Sequence, residues 1–292
     1  MLFRSSSGGY GDHLSGQSTP ETLTDTAWAA HSARLVANMH RVREDEALTE
    51  IYDGYANEFT RKWQETFIRE DGSVAAGILN SDVESETAYA LGIAFDLFPE
   101  EMKQDAAERL NILSEYGAYL FYPGYAGMAN YLPALSQNGY VDTAIKVMTN
   151  EAPGGLAHPL SLGLTTNPED LMAFRYQDSA GNDYPGDQYE LTGSLNHAAY
   201  SSVCAFCYSD ILGIRPDENA AGYEHFFVKP MMGQGVNKAE GAYKSRRGII
   251  RVSWDSEARQ ISCTVPEGTT CTLTLPTGEE KELEAGRHEI NW

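Results

Sequence analysis

The chain has 292 residues, 42% hydrophobic and 22% charged, which supplies enough apolar content for a packed core and excludes a disordered chain. Its 42 acidic side chains against 21 basic ones give a formal net charge of −21, which argues against nucleic acid or an anionic membrane as partner and leaves neutral or cationic ligands. Four cysteines, Cys204, Cys207, Cys263 and Cys271, are too few and too late in the chain for a disulfide framework.

The opening MLFRSSSGGYGDH has no sustained apolar run, so it is read as neither signal peptide nor membrane anchor, and a cytoplasmic location is expected. From Pro20 to about Ile214 apolar residues recur at helical spacing. Thr19, Pro20 and Glu21 predict an N-cap, a first helical residue and a first-turn acid. In DEALTEIYDGYANEFTRKWQETF, Leu48, Tyr52, Tyr55, Phe59, Trp63 and Phe67 follow at spacings of three and four, a stripe that a helix must bury. A turn at 69–72 ends it. Further helices are predicted at about 83–97, 100–115, 127–137, 140–150 and 193–212, with short joints such as Gln137-Asn138-Gly139 that suit antiparallel hairpins. Cys204 and Cys207 fall in the last as CAFC, without a second pair, and are read as buried helix thiols rather than a zinc or redox site.

After Gly222 the pattern changes to short β-rich runs: HFFVKP, GIIRVSW, RQISCTVP, TCTLTLP and RHEINW. Turns such as 266–268 and 276–278 separate them at even spacing, as in a small antiparallel sandwich. The expected layout is a helical domain over 1–216, compatible with an α/α toroid, a linker at 215–219, and a β-sandwich over 222–292.

Most acids in so acidic a chain belong to its solvated surface. Four places differ by context. Asp12 and His13 follow a Gly-Tyr-Gly turn; Asp82, Glu84 and Glu86 open a helix, where acids also complement the helix dipole. FYPGYAG carries Tyr122 and Tyr125, and GLTTNPEDLMAF carries Glu169 and Asp170, with Asn196 and His197 close behind in GSLNHAAY. Aromatic faces beside loop carboxylates suit carbohydrate hydrolysis, because sugars stack on rings and glycosidic cleavage needs an acid and a base. An acidic helical scaffold is the other reading of the same residues.

Several stretches, in order, carry a resemblance: GYGDHL, TPETLTDTAWAAHSA, SETAYALGIAFDLFPEE, YLPALSQNGYVDTAIKVM, LGLTTNPED, GSLNHAAYSSV and DILGIRPDENAAGYEHFFVKP. The chain resembles the C-terminal part of the bacterial α-L-rhamnosidases of glycoside hydrolase family 78, which implies a partial (α/α)6 barrel of helical hairpins followed by a β-sandwich. Those enzymes are inverting, with a protonated acid on one side and a carboxylate base across a gap of roughly 6.5–9.5 Å. The resemblance makes Glu169 the base, the Glu of a Thr-Thr-x-Trp-Glu motif in which Pro168 stands at the Trp position. It makes His197, with Asn196, a contact to the rhamnose, and Asp12 the acid of a Gly-x-Gly-Asp-Trp turn in which His13 replaces Trp. Tyr122 and Tyr125 join these as substrate-binding candidates. The family's acid-bearing Asp-Glu-Arg segment does not occur in this sequence. The expectation is therefore a rhamnosidase-type fragment, inactive alone, acting on rhamnose-containing glycosides with a complementary N-terminal half or as a homo-oligomer. No metal or cofactor is expected. A non-catalytic carbohydrate-binding or structural remnant is the alternative.

Overall fold

The computed structural model describes residues 11–74, 84–171 and 193–292, with the short pieces 174–175, 180–183, 185–186 and 190–191. Among these residues, eight α-helices precede a two-sheet sandwich. A long hairpin comes first, α1 (Glu21–Val42) and α2 (Glu46–Phe67). Shorter helices follow: α3 (Glu86–Ala94), α4 (Lys103–Tyr116), α5 (Met128–Ser136), α6 (Val141–Met148) and α7 (His158–Ser161). A two-stranded ribbon pairs β1 (Phe174–Arg175) with β2 (Glu190–Leu191), and α8 (Ser202–Phe206) runs into a π-helical turn at Cys207–Ile211.

Local chemistry sets the helix starts. Asp45 and Ser85 cap α2 and α3, their side chains accepting from the amides of Leu48 and Ala88 at 3.2 Å each. Pro20 is itself the extended N-cap of α1 rather than its first helical residue. The Thr19 hydroxyl is free of that duty because it pairs with the Ser85 hydroxyl at 2.8 Å. The helix expected over 193–212 begins only at a 3-10 turn, Ala199–Ser201, because residues 194–197 are hydrogen-bonded into a neighbouring loop. Cys204 is exposed and Cys207 half-buried, so the CAFC thiols are not the buried pair expected.

The α2 stripe is only partly covered. Trp63 and Phe67 are buried, whereas Leu48 is 37% and Tyr55 53% exposed. Trp63 stands edge-on to Phe98 at 5.3 Å. Gly92 permits this contact, since a Cβ there would lie 2.4 Å from the Phe98 ring and 3.0 Å from Trp63.

The sandwich holds β3 (Ile214–Pro216), β4 (His225–Val228), β5 (Lys238–Lys244), β6 (Ile249–Asp255), β7 (Gln260–Val265), β8 (Thr270–Thr274), β9 (Glu280–Leu283) and β10 (Gly286–Asn291). Its sheets run β3-β4-β8-β9 and β10-β7-β6-β5, all neighbours antiparallel except β4 and β8. Arg215 and Pro216, placed by composition in a linker, lie in β3 and pair with β4.

The helical part and the sandwich share a buried junction. Asp210, 0% exposed, accepts from Ser136 Oγ at 2.8 Å, Gln137 Nε2 at 3.1 Å and Arg215 Nη2 at 2.8 Å. The Trp254 indole of β6 donates to the Ile211 carbonyl at 2.8 Å. Gly213 holds a φ of +75°, and a Cβ there would strike the Lys229 backbone at 2.2 Å. No described helix is long and apolar enough to cross a membrane.

Candidate active site

Three loops build the site. The first is the 11–16 turn, which seats the 121–127 loop ahead of α5. Three successive amides of that loop donate to two residues: Gly124 N to Asp12 Oδ2 at 3.2 Å, Tyr125 N to the His13 carbonyl at 3.0 Å, and Ala126 N to Asp12 Oδ1 at 3.1 Å. The Thr87 hydroxyl of α3 also donates to Asp12 Oδ2. Gly124 is needed for this approach, since a Cβ there would lie 2.4 Å from the His13 carbonyl oxygen. Trp28 of α1 adds an indole N–H to the Ala126 carbonyl at 3.3 Å.

The other two loops are tied to each other. Glu169 N donates to the Ser194 carbonyl and His197 N to the Asn167 carbonyl, both at 2.8 Å. Thr166 Oγ1 donates to the Leu195 carbonyl at 2.5 Å, and Asn167 Nδ2 to Ser201 Oγ at 3.2 Å. These rungs explain the break in helical grammar at 163–170: the segment pairs with the 194–201 loop instead of continuing a helix, and Pro168 is buried beneath it.

The loops meet at Tyr125. Its ring stacks on His197 at 5.7 Å and stands edge-on to His13 at 5.4 Å. Its hydroxyl lies 3.5 Å from both the Glu169 carbonyl and His197 Nδ1. Burial raises the Tyr125 hydroxyl above its ordinary pKa of 10.0, and the negative charges of Glu169 and Asp170 raise it further. The Ala199 amide donates to His197 Nδ1 at 3.1 Å, so a neutral ring carries its proton on Nε2 and presents a donor there. His197 thereby caps the turn at Ala199.

The structure thus gathers Glu169, His197, Tyr125 and His13 and treats the other candidates differently. Asp12 is 9% exposed and its carboxylate is occupied by protein donors. The Tyr122 ring lies between Gly16 and Gly117, where added Cβ atoms would approach to 2.5 and 2.6 Å, and makes no ring contact with the cluster among the described residues. Asn196 is exposed beside His197, its amide donating to Ser194 Oγ at 3.4 Å. Glu86 is 0% exposed, its pKa pushed up to about 8 chiefly by burial, and cannot meet a substrate; Asp82 lies outside the described residues. Thr87, Trp28 and Asn167 support the site without a signal in the sequence, because a threonine on a helix or a tryptophan in an apolar stripe looks like ordinary core. Among the described residues no group of three or more His, Cys, Asp or Glu side chains is arranged to hold a metal ion.

Known proteins match this chain over nearly its whole length. Residues 2–211 match the bacterial alpha-L-rhamnosidase 6 hairpin glycosidase domain, and 213–290 the bacterial alpha-L-rhamnosidase C-terminal domain. An alpha-L-rhamnosidase of Streptomyces avermitilis is 30% identical over 282 residues, covering 94% of this chain and 25% of that protein. One of Formosa agariphila is 26% identical over 269 residues, covering 91% and 27%. The crystal structure of the Streptomyces avermitilis enzyme complexed with L-rhamnose aligns with a TM-score of 0.81 at 25% identity, over 97% of this chain and 28% of that one. The Aspergillus terreus enzyme shares the fold, with a TM-score of 0.85 at 24% identity over 99% and 33%. The chain therefore spans between a quarter and a third of the length of these relatives. With its helical part and its sandwich matched in order by the two models, the chain belongs to the bacterial α-L-rhamnosidase family.

Proposed function

We propose that this chain is part of an inverting glycoside hydrolase that removes terminal α-L-rhamnose from glycosides, with Glu169 as general base. The observation that carries the reading is that the Glu169 backbone, its carbonyl 3.5 Å from the Tyr125 hydroxyl, converges with the Tyr125, His197 and His13 rings. In such a reaction the base takes a proton from a water that attacks the anomeric carbon, while a second carboxylic acid protonates the leaving oxygen. Glu169 supplies the acceptor. His197 donates from Nε2 to a sugar hydroxyl, Asn196 offers an exposed amide at the rim, and the Tyr125 and His13 rings form an apolar wall.

The leaving-group acid comes from outside this chain in this reading. The Asp-Glu-Arg segment is absent from the sequence, and Glu86, the described carboxyl held neutral to about pH 8, is buried away from solvent. A complementary N-terminal half of the toroid is the partner that this reading requires. The missing second acid also favours the alternative, a non-catalytic module that binds rhamnosides.

Calorimetry with L-rhamnose and turnover of an aryl α-L-rhamnoside separate the readings. The proposal expects L-rhamnose binding, negligible turnover by the chain alone, and turnover restored by an acid-bearing N-terminal half but not when Glu169 is replaced by Gln. Binding that no complement converts to turnover favours the non-catalytic module. A wild-type chain that binds no L-rhamnose overturns both.

A further inference from the structure

We propose that Asp12 is a positioning residue, which holds the 121–127 loop so that Tyr125 lies against His197 and Glu169, and that it does not contact the sugar. Its bearing on sugar binding rests on the function proposed above; its bearing on ring geometry does not.

The argument starts from donors and acceptors. An ionised carboxylate offers about four acceptor sites, and three at Asp12 are taken by Thr87 Oγ1, Gly124 N and Ala126 N. With the residue buried, no access is left for a hydroxyl of a ligand. The two amides on Asp12 belong to the residues on either side of Tyr125, and the Tyr125 amide itself donates to the His13 carbonyl. Three consecutive N–H groups are thus fixed by one turn, a concave arrangement suited to a negative charge. The same turn supplies the His13 ring, edge-on to Tyr125. Thr87 ties this assembly to α3, its side chain filling the space beside Gly127. Asp12 holds the backbone and His13 the ring, leaving Tyr125 one direction in which to point.

Two substitutions in the 292-residue chain test this. Asp12→Asn keeps an acceptor for Ala126 but sets an amide nitrogen against the Gly124 N–H and forces the Thr87 hydroxyl to turn from donor to acceptor. Gly124→Ala leaves Asp12 unsubstituted and drives a Cβ into the His13 carbonyl. Cross-relaxation between the Tyr125 and His197 rings, measured by NMR, reports the positioning, and calorimetry with L-rhamnose reports binding. Asp12→Asn and Gly124→Ala are each expected to lose the ring-to-ring cross-peaks and to weaken L-rhamnose binding about tenfold, while the circular dichroism of the fold persists. Intact cross-peaks in Asp12→Asn overturn the proposal, and if binding is lost at the same time Asp12 touches the sugar directly. Should Asp12→Asn fail to fold, Gly124→Ala decides, with retained cross-peaks again overturning it. A wild-type chain that binds no L-rhamnose sinks the rhamnoside reading, while the cross-peaks still decide the positioning role.

Discussion

At the residue scale, two acids illustrate how environment sets chemistry. Glu169 is half-buried, its carbonyl 3.5 Å from the Tyr125 hydroxyl, and its negative charge raises the pKa of that phenol. Replacing Glu169 by Gln removes a negative neighbour and should lower the Tyr125 pKa toward 10, measured as phenolate absorbance against pH. An unchanged titration would show that the carboxylate is remote. Glu86 is the opposite case. Burial raises it from 4.5 to about 8, so the folded chain keeps a proton that the unfolded chain releases. Stability therefore falls as pH rises from about 4.5 to about 8 and is level above that, by on the order of 3–5 kcal/mol for a shift of this size. Glu86→Gln should match wild type at pH 5 and melt several degrees higher at pH 8.5. Equal melting curves at both pH values would mean that the carboxyl finds compensation in the nearby Tyr131 hydroxyl and Tyr122 amide.

At the element scale, composition placed most of β3 in a linker and did not reveal the sandwich strands β5 and β9, which lie at sheet edges. Their Lys, Glu and Gly residues carry little β-propensity and leave most side chains exposed, which suits an edge protected from further pairing. The central strands β4, β6, β7 and β8 alternate or pack as apolar runs and were legible for that reason. The joint between helices and sandwich was not legible, because Asp210 reads as one acid among 42 until Ser136, Gln137 and Arg215 are folded onto it. Asp210→Ala should cost about 2–4 kcal/mol, since it leaves buried donors unpaired and Arg215 without its counter-charge. Urea unfolding checks this, and a loss of less than about 1 kcal/mol would mean that the junction relaxes around the gap.

At the scale of the whole molecule, the long α1–α2 hairpin carries apolar surface that the shorter helices leave uncovered. Trp28, Leu35, Met39 and Val42 follow one stripe of α1, with Met39 64% and Val42 84% exposed, and Leu48, Ile51 and Tyr55 follow one of α2. Exposed apolar stripes of this kind favour association. The isolated chain should self-associate with rising concentration in analytical ultracentrifugation, and a Met39→Glu, Val42→Glu double variant should shift it toward monomer without altering its melting. A wild-type chain monomeric at all concentrations would refute this.

Helix periodicity, β alternation and the ordered motifs are properties of neighbouring residues, so they could be read before any fold was known. The selection among acids could not. Glu169, His197, Tyr125 and His13 become one site only because the 165–170 loop bonds to the 194–201 loop and Gly124 lets a third loop close on the Asp12 turn. Those contacts join residues far apart in the chain. They depend on backbone hydrogen bonds and on the space left by an absent Cβ, which only the tertiary structure decides.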